Sequence, residues 1–192
     1  FLQFLRELSI QCHANNLVLS VDNPVPEDFT SHYDRKEQGL VVDYVIIMGY
    51  DEHYVGSDAG SVASLPWVEQ GVQDTIAEVT SERTILAIPF YTRLWKTTGG
   101  AVTSEAIGMD EAQNVLSTNG VEAVWDGSVG QNYATFEQDN STYQIWLEDA
   151  QSIAEKVKLI QKYNLAVVAQ WKLGFENSSI WQTISDNLQA AS

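Results

Sequence analysis

The sequence predicts an α/β protein in which parallel strands alternate with helices and a small α+β segment precedes the last strand. Short apolar runs rich in β-favouring residues, typical of buried parallel strands, occur at residues 44–48, 84–88 and 166–170. A helical spacing of apolar residues separates the first two runs. Between about residues 96 and 164 the pattern changes to strand-like runs close together. We therefore expect residues 1–95 and 165–192 to form the parallel layer and residues 96–164 an insertion.

Each element has its own signal in the chain. Pro66 suits the first turn of a helix, Gly120 suits the end of one, and the helix at 148–163 begins acidic and carries lysines nearer its end. The Gly- and Ser-rich stretch at 54–64 indicates a loop. Helices are expected at 1–14, 26–38, 66–80, 110–118, 148–163 and 178–188. Strands are expected at 17–21, 44–48, 84–88, 121–125, 132–137, 142–147 and 166–170.

Composition excludes several classes of function. The chain has 192 residues, with 10 Lys plus Arg against 26 Asp plus Glu and a net charge of −16. Such a charge repels phosphate backbones and anionic lipids, so we expect neither a nucleic-acid nor a membrane partner. No apolar run approaches the length of a membrane span. Six Trp and eight Tyr are many for this length, and flat aromatic faces suit stacking on sugar rings.

Aromatic and polar residues follow three predicted strands directly. Tyr50 and Asp51 follow the first run, Tyr91 the second, and Trp171 ends the third. The carboxyl ends of parallel strands meet at one edge, which is where alternating strand–helix barrels carry their chemistry. The sequence therefore predicts a carbohydrate-binding cleft there. Its candidate residues are Tyr50, Asp51, Tyr91, Arg93, Trp95 and Trp171.

Less specific interpretations of the same residues stay open. Most of the aromatic side chains could serve only as packing, and Arg93 could form a plain surface ion pair. Asp51, Glu52 and His53 could suggest a metal site. Adjacent side chains at a strand end point apart, however, and no fourth ligand is obvious, so we predict no metal and no cofactor.

Three motifs resemble those of the family 18 glycoside hydrolases, the chitinase-like enzymes. Met48-Gly-Tyr-Asp51 resembles the Met-x-Tyr-Asp signature of their sixth barrel strand. Ile88-Pro-Phe-Tyr-Thr-Arg93 resembles their seventh-strand segment, with Thr92 in place of the usual Gly, and Gln170-Trp171 resembles the eighth strand. Leu65-Pro-Trp67 and the run at 146–156 resemble the bacterial spore-cortex and cell-wall branch. The resemblance covers nearly the whole chain.

The resemblance implies a fold and a set of roles. The fold would be part of a (β/α)8 TIM barrel, strands five to eight, with the α+β insertion before the last strand. Tyr50 would bond the substrate's acetamido oxygen and Asp51 would help position the reacting sugar. Trp171 would form the floor of that subsite, and Met48 would line it. Tyr91 and Arg93 would hydrogen-bond neighbouring sugars, and Trp95 would stack on a sugar further along.

The chain departs from the family at its general acid. The family's Asp-x-x-Asp-x-Asp-x-Glu motif at strand four is absent, so we expect the acid upstream in a longer protein and no hydrolysis by this chain alone. The expected partners are a polysaccharide containing N-acetylglucosamine (peptidoglycan or chitin) and the missing half of the barrel, or a second copy. The expected location is extracellular, at the cell wall or spore surface, with any export signal upstream.

Two other functions remain as alternatives. The full protein could be a non-catalytic carbohydrate-binding relative in which the upstream Glu is replaced, or a structural fragment without sugar affinity. The strand-four residue separates the first alternative from an enzyme, and titration with a sugar oligomer tests the second.

Overall fold

A computed structural model describes residues 1–189 and contains two sheets. The first sheet is parallel, with strand order β1-β2-β3-β9, and confirms the predicted α/β class. Its strands are β1 (Ser20–Pro24), β2 (Tyr44–Met48), β3 (Thr84–Pro89) and β9 (Val167–Trp171). Because β1 and β9 have one neighbour each, this sheet does not close into a barrel within residues 1–189.

The register of the parallel sheet brings its carboxyl ends together. Met48 on β2 pairs with Ala87 on β3, and Pro89, the last residue of β3, pairs with Trp171 at the end of β9. The residues that follow these strand ends therefore emerge at one edge, as the order of motifs in the sequence predicted. The first strand begins at Ser20, later than expected.

The second sheet is antiparallel, with strand order β5-β4-β8-β7-β6. It begins at Tyr91, ahead of the expected insertion boundary, and includes a long hairpin that the sequence analysis did not predict. The two hairpin strands turn at Gly99 and Gly100, whose φ angles are 57° and 87°. The strands are β4 (Tyr91–Thr98), β5 (Ala101–Gly108), β6 (Val124–Asp126), β7 (Gln131–Gln138) and β8 (Ser141–Leu147).

Helices cover one face of the parallel sheet. They are α1 (Leu2–Ala14), α2 (Arg35–Val41), α3 (Leu65–Ile76), α5 (Ala150–Lys162) and α6 (Ile180–Gln189). The remaining helix, α4 (Met109–Asn119), packs on β4 and β5 of the insertion instead. The helix predicted at 26–38 is wrong in form: a 3-10 helix (Asp28–Tyr33) precedes α2. Asp34, at φ 51°, separates the two because a left-handed residue breaks a continuous helix.

The two faces of the parallel sheet are buried to different degrees. Val45 and Ile47 on β2 are fully buried and lie in a core with Val21 and Leu5, whereas Ile46 is only partly buried. A second core joins β3 and β9 to α3, α5 and α6, and a third lies within the insertion. The face opposite the helices is thus partly open. No helix within residues 1–189 combines the length and apolarity needed to cross a bilayer.

Candidate functional site

The turn after β2 delivers Tyr50 and Asp51 to the carboxyl edge of the sheet. Gly49 leaves β2 with its N–H bonded to the Ala87 carbonyl at 2.8 Å. Asp51 has a φ of 67°, a left-handed conformation that Asp tolerates better than most residues. Its Oδ1 accepts a hydrogen bond from the Tyr91 hydroxyl. The end of β2 and the start of β4 are therefore joined at the predicted site.

A first hollow, of about 220 Å³, lies between the ends of β3 and β9 and the insertion. Four of the predicted site residues are among those that line it. The lining residues are Asp51, Tyr91, Arg93, Ala106, Trp171 and Phe175. Trp171 is 53% exposed, so its indole is accessible to a ligand. The hollow thus combines aromatic surface with a carboxylate and a guanidinium, a set that suits a sugar.

A second hollow, of about 260 Å³, lies on the other side of Asp51, towards β1. It is mostly apolar and aromatic, and Asp51 is common to both hollows. The lining residues are Pro24, Val25, Glu27, Phe29, Met48, Tyr50, Asp51, Tyr54 and Trp67. Met48 and Tyr50 therefore lie in this hollow, and the ring of Tyr50 meets that of Tyr91 edge-on, with centroids 6.2 Å apart.

Both tyrosines at the site are held in the neutral form. Burial, followed by the charges of Asp22 and Asp51, raises the pKa of Tyr50 to about 12. Burial also raises the pKa of Tyr91, and its hydrogen bond to the Asp51 carboxylate raises it further. Each phenol therefore keeps its proton at neutral pH. The Tyr91 hydroxyl donates to Asp51, whereas the Tyr50 hydroxyl can donate a hydrogen bond to an amide carbonyl.

Arg93 and Trp95 lie on β4, and the structure separates their roles. The Arg93 Nη1 donates to Ser104 Oγ at 2.9 Å, while its Nε is buried without a hydrogen-bond partner among residues 1–189. Trp95 is only 1% exposed and its Nε1 donates to the Gly60 carbonyl at 2.8 Å. The predicted stacking of Trp95 on a sugar does not fit this burial, because its indole packs under the loop after β2, at Gly60.

The residues after Asp51 fix the loop that follows β2. Glu52 accepts hydrogen bonds from the Ser64 N–H at 2.7 Å and the Ser64 hydroxyl at 2.9 Å, where α3 begins. His53 Nδ1 lies 2.7 Å from the Ser61 carbonyl. No group of three or more His, Cys, Asp or Glu within residues 1–189 is arranged to hold a metal ion.

The turn after β9 closes the first hollow. The peptide bond between Trp171 and Lys172 is cis. Phe175 faces Tyr91 with ring centroids 6.5 Å apart, and its carbonyl accepts from the Met109 N–H at 2.8 Å. Gly108 is needed beside this turn, since a Cβ there would lie 2.9 Å from the Phe175 oxygen.

Sequence reasoning missed the loop residues that complete the two hollows. Glu27, Phe29 and Tyr54 lie outside the parallel strands, so their position could not be read from strand ends. Trp67 was singled out only as part of a motif, and its Nε1 lies 3.3 Å from the Glu27 carboxylate. The unexpected Thr92 is 2% exposed and donates to the Trp146 carbonyl, so it ties β4 to β8 without entering the cleft.

Comparison with known proteins places this architecture among the chitinase-like glycosidases. The chain is similar to a chitinase from Chromobacterium violaceum ATCC 12472, with a TM-score of 0.91 and 26% identity, over 98% of this chain and 61% of that one. The chain belongs to family 18 of the glycosyl hydrolases, whose sequence pattern matches residues 1–176.

Relatives from spore-forming bacteria are also similar. A cortical fragment-lytic enzyme of Bacillus subtilis (strain 168) is 25% identical over 193 aligned positions, covering 96% of this chain and 45% of the relative. The spore cortex-lytic enzyme SleL of Bacillus megaterium QM B1551 has the same fold, with a TM-score of 0.86 at 23% identity, over 97% of this chain and 44% of that one. The chain spans about half the length of the curated relatives it matches.

Proposed function

We propose that this chain forms the sugar-holding part of a glycosidase that cleaves polysaccharides containing N-acetylglucosamine. The Tyr50 hydroxyl donates a hydrogen bond to the acetamido oxygen of the reacting sugar, and Asp51 positions the acetamido group. Trp171 supplies the apolar floor. Tyr91 and Arg93 bond the neighbouring sugar. Met48 lines the second hollow, across Asp51 from Trp171. Trp95 acts only as a buried support.

The chemistry would be substrate-assisted and retaining. In this family the substrate's own N-acetyl oxygen replaces the second carboxylate that most glycosidases use. The acetamido oxygen attacks the anomeric carbon as the leaving oxygen takes a proton from the general acid, and an oxazolinium ion forms. Water then opens this ion. A neutral phenol at Tyr50 and a carboxylate at Asp51 suit the two ends of the acetamido group. The acetamido carbonyl accepts a hydrogen bond from the phenol, and the acetamido N–H donates one to the carboxylate.

One observation carries the proposal: Asp51, Tyr91, Arg93 and Trp171 line a single hollow, and Asp51 is hydrogen-bonded to Tyr91. Asp51 is also the sole carboxylate among the residues lining that hollow. Because Asp51 is assigned to positioning, none of the described residues that line this hollow is left to act as the general acid. We infer that a longer polypeptide supplies it and that this chain alone binds but does not hydrolyse.

The partial-barrel fold and the partner follow from the same proposal. The parallel sheet would be strands five to eight of a (β/α)8 barrel, and β1 and β9 would pair with the remaining strands. That half, or else a second copy of this chain, is the proposed partner. The names of the relatives include both a chitinase and spore cortex-lytic enzymes, so chitin and peptidoglycan are the candidate substrates. We propose a site of action outside the cell, at the wall or spore surface.

Titration with an N-acetylglucosamine tetramer, followed by tryptophan fluorescence, tests the proposal. The emission should change on binding, and Trp171→Ala should weaken affinity about tenfold or more, because a central indole is lost. Trp125→Ala is the matched control, since Trp125 lines neither hollow. The control should bind like the unmodified chain.

Two outcomes would contradict the proposal. Absence of any binding would favour a structural fragment without sugar affinity. Release of sugar from chitin oligomers or peptidoglycan by this chain alone would disprove the inference that the acid lies elsewhere. If the chain binds but the strand-four position of the longer protein lacks Glu, the non-catalytic carbohydrate-binding relative is the correct alternative.

A further inference from the structure

The two hollows differ in charge. The first combines the Asp51 carboxylate with the Arg93 guanidinium. The second contains the carboxylates of Glu27 and Asp51, and its lining within residues 1–189 includes neither Lys nor Arg. A ligand that occupies both hollows therefore meets a balanced environment on one side of Asp51 and a purely negative one on the other.

Aromatic surface in the second hollow is open to a ligand. Phe29 is 74% exposed and Tyr54 is 56% exposed, although both are large and largely apolar. Trp67 lies beside them and is partly buried. Exposed aromatic faces around one depression are the usual means by which proteins hold a pyranose ring, so a sugar unit suits this space better than an ion does.

Glu27 can accept further hydrogen bonds from such a sugar. It is exposed, and its carboxylate accepts from Trp67 Nε1 at 3.3 Å, while its backbone N–H donates to the Thr30 hydroxyl at 2.8 Å. A carboxylate has about four lone-pair positions, so acceptor capacity remains. Arg35 does not offset the negative charge of Glu27 at the surface. It is 2% exposed, and its Nη2 donates to the carbonyl of Pro24, a residue that lines the second hollow, at 3.1 Å.

From this charge difference we infer that the part of the second hollow around Glu27, Phe29 and Tyr54 selects a sugar by charge. This sugar flanks the reacting one on the side of Asp51 away from Tyr91 and Arg93. This part of the hollow binds a 2-amino sugar that is either N-acetylated or free. The free form is preferred, because its ammonium group pairs with the Glu27 carboxylate. The same part disfavours a unit with a lactyl carboxylate, the group that distinguishes muramic acid in peptidoglycan. The inference rests on the proposed function and narrows its substrate to chitin-like strands, above all partly deacetylated ones.

Three tetrasaccharides test this inference on the 192-residue chain by tryptophan fluorescence. They are a fully N-acetylated glucosamine tetramer, a partly deacetylated one, and one that alternates N-acetylglucosamine with N-acetylmuramic acid. At mildly acidic pH the sugar amine is protonated and carboxylates are ionised. The partly deacetylated tetramer should bind about threefold tighter than the acetylated one, the size of one partly exposed ion pair. The muramic tetramer should bind most weakly.

Two variants and a change of salt separate charge from shape. Glu27→Gln keeps an oxygen that can accept from Trp67 Nε1 and should abolish the preference for the free amine. Asp28→Asn removes the same charge one residue further on, outside the lining residues, and should preserve the preference. At about 0.5 M salt, where the Debye length is a few ångströms, the differences between the tetramers should shrink.

The outcomes distinguish this inference from the proposed function. If the acetylated tetramer does not bind, both are wrong. If it binds but the muramic tetramer binds equally well or better, only the charge selection is wrong. The same conclusion follows if Glu27→Gln retains the full preference for the free amine.

Discussion

Asp51 is the residue at which the two hollows meet. Its left-handed backbone turns the chain at the end of β2, and its side chain accepts a hydrogen bond from the Tyr91 hydroxyl. Replacement by a β-branched residue would strain this turn, because such residues avoid positive φ. The position of the carboxylate thus depends as much on the backbone as on its partner.

Tyr50 should keep its proton well into the alkaline range. Its pKa is raised to about 12, chiefly by burial, so the stability that its neutral form contributes is complete below the ordinary value of about 10 and is lost as pH rises through about 12. Ultraviolet difference titration of the unmodified chain against Tyr50→Phe should show that the variant loses a tyrosinate transition near 12. Loss of a transition near 10 would contradict the shift.

The two sheets differ in how far the sequence could predict them. The parallel strands β2, β3 and β9 were recognisable as continuous apolar runs, and the motifs at their ends identified six of the 14 residues that line the two hollows. Strands β4 and β5 were missed because β5, at 101–108, is rich in exposed small and polar residues. The Gly99-Gly100 pair between them is a hairpin signal that could have revealed both.

The loop after Asp51 is anchored on the insertion by a buried polar chain. Ser61 bonds Gln131, Gln131 Nε2 donates to Glu148 at 2.8 Å, and Lys156 Nζ donates to the same carboxylate at 2.8 Å. The Glu148 and Lys156 side chains are both 0% exposed. Burial raises the pKa of Glu148, and the Lys156 ammonium opposes that rise. This chain of bonds could not be read from the sequence, since its members come from four separate segments.

Lys156→Met should therefore destabilise the protein by about 3–5 kcal/mol, because it leaves a buried carboxylate without its counter-charge. The double variant Glu148→Gln/Lys156→Met should lose less, since no unpaired charge remains. Lys158→Met on the same helix is the control: its pair with Glu155 is exposed, so the loss should stay within about 0.5 kcal/mol. Urea denaturation measures all three, and a double variant less stable than Lys156→Met would contradict this account.

At the scale of the whole molecule, the parallel sheet is incompletely covered. Strands β1 and β9 are edges, and Val18, Val167 and Leu173 next to or within them are exposed. Parallel sheets are normally covered on both faces, and bare edges invite pairing with another chain. The sequence indicated this arrangement only through resemblance to a larger barrel, because no local pattern reports what covers a face.

We expect the isolated chain to self-associate. Size-exclusion chromatography with light scattering at micromolar concentrations should give a mass above the monomer's 21.4 kDa. A Lys substitution at Val167, on the exposed β9 edge, should shift the equilibrium towards monomer, because edge charges oppose strand pairing. The same substitution at Val124, exposed in the insertion, is the control. A strict monomer at all concentrations would count against the expectation.

The insertion bridges the first hollow from both sides, through Trp95 to the loop after β2 and through Met109 to the turn after β9. The conformational entropy of these wall residues is therefore lost when the chain folds, not when a sugar binds. Recognition in this cleft should accordingly be that of a preorganised receptor, in which little of the gain from each contact is lost to rearrangement of the protein.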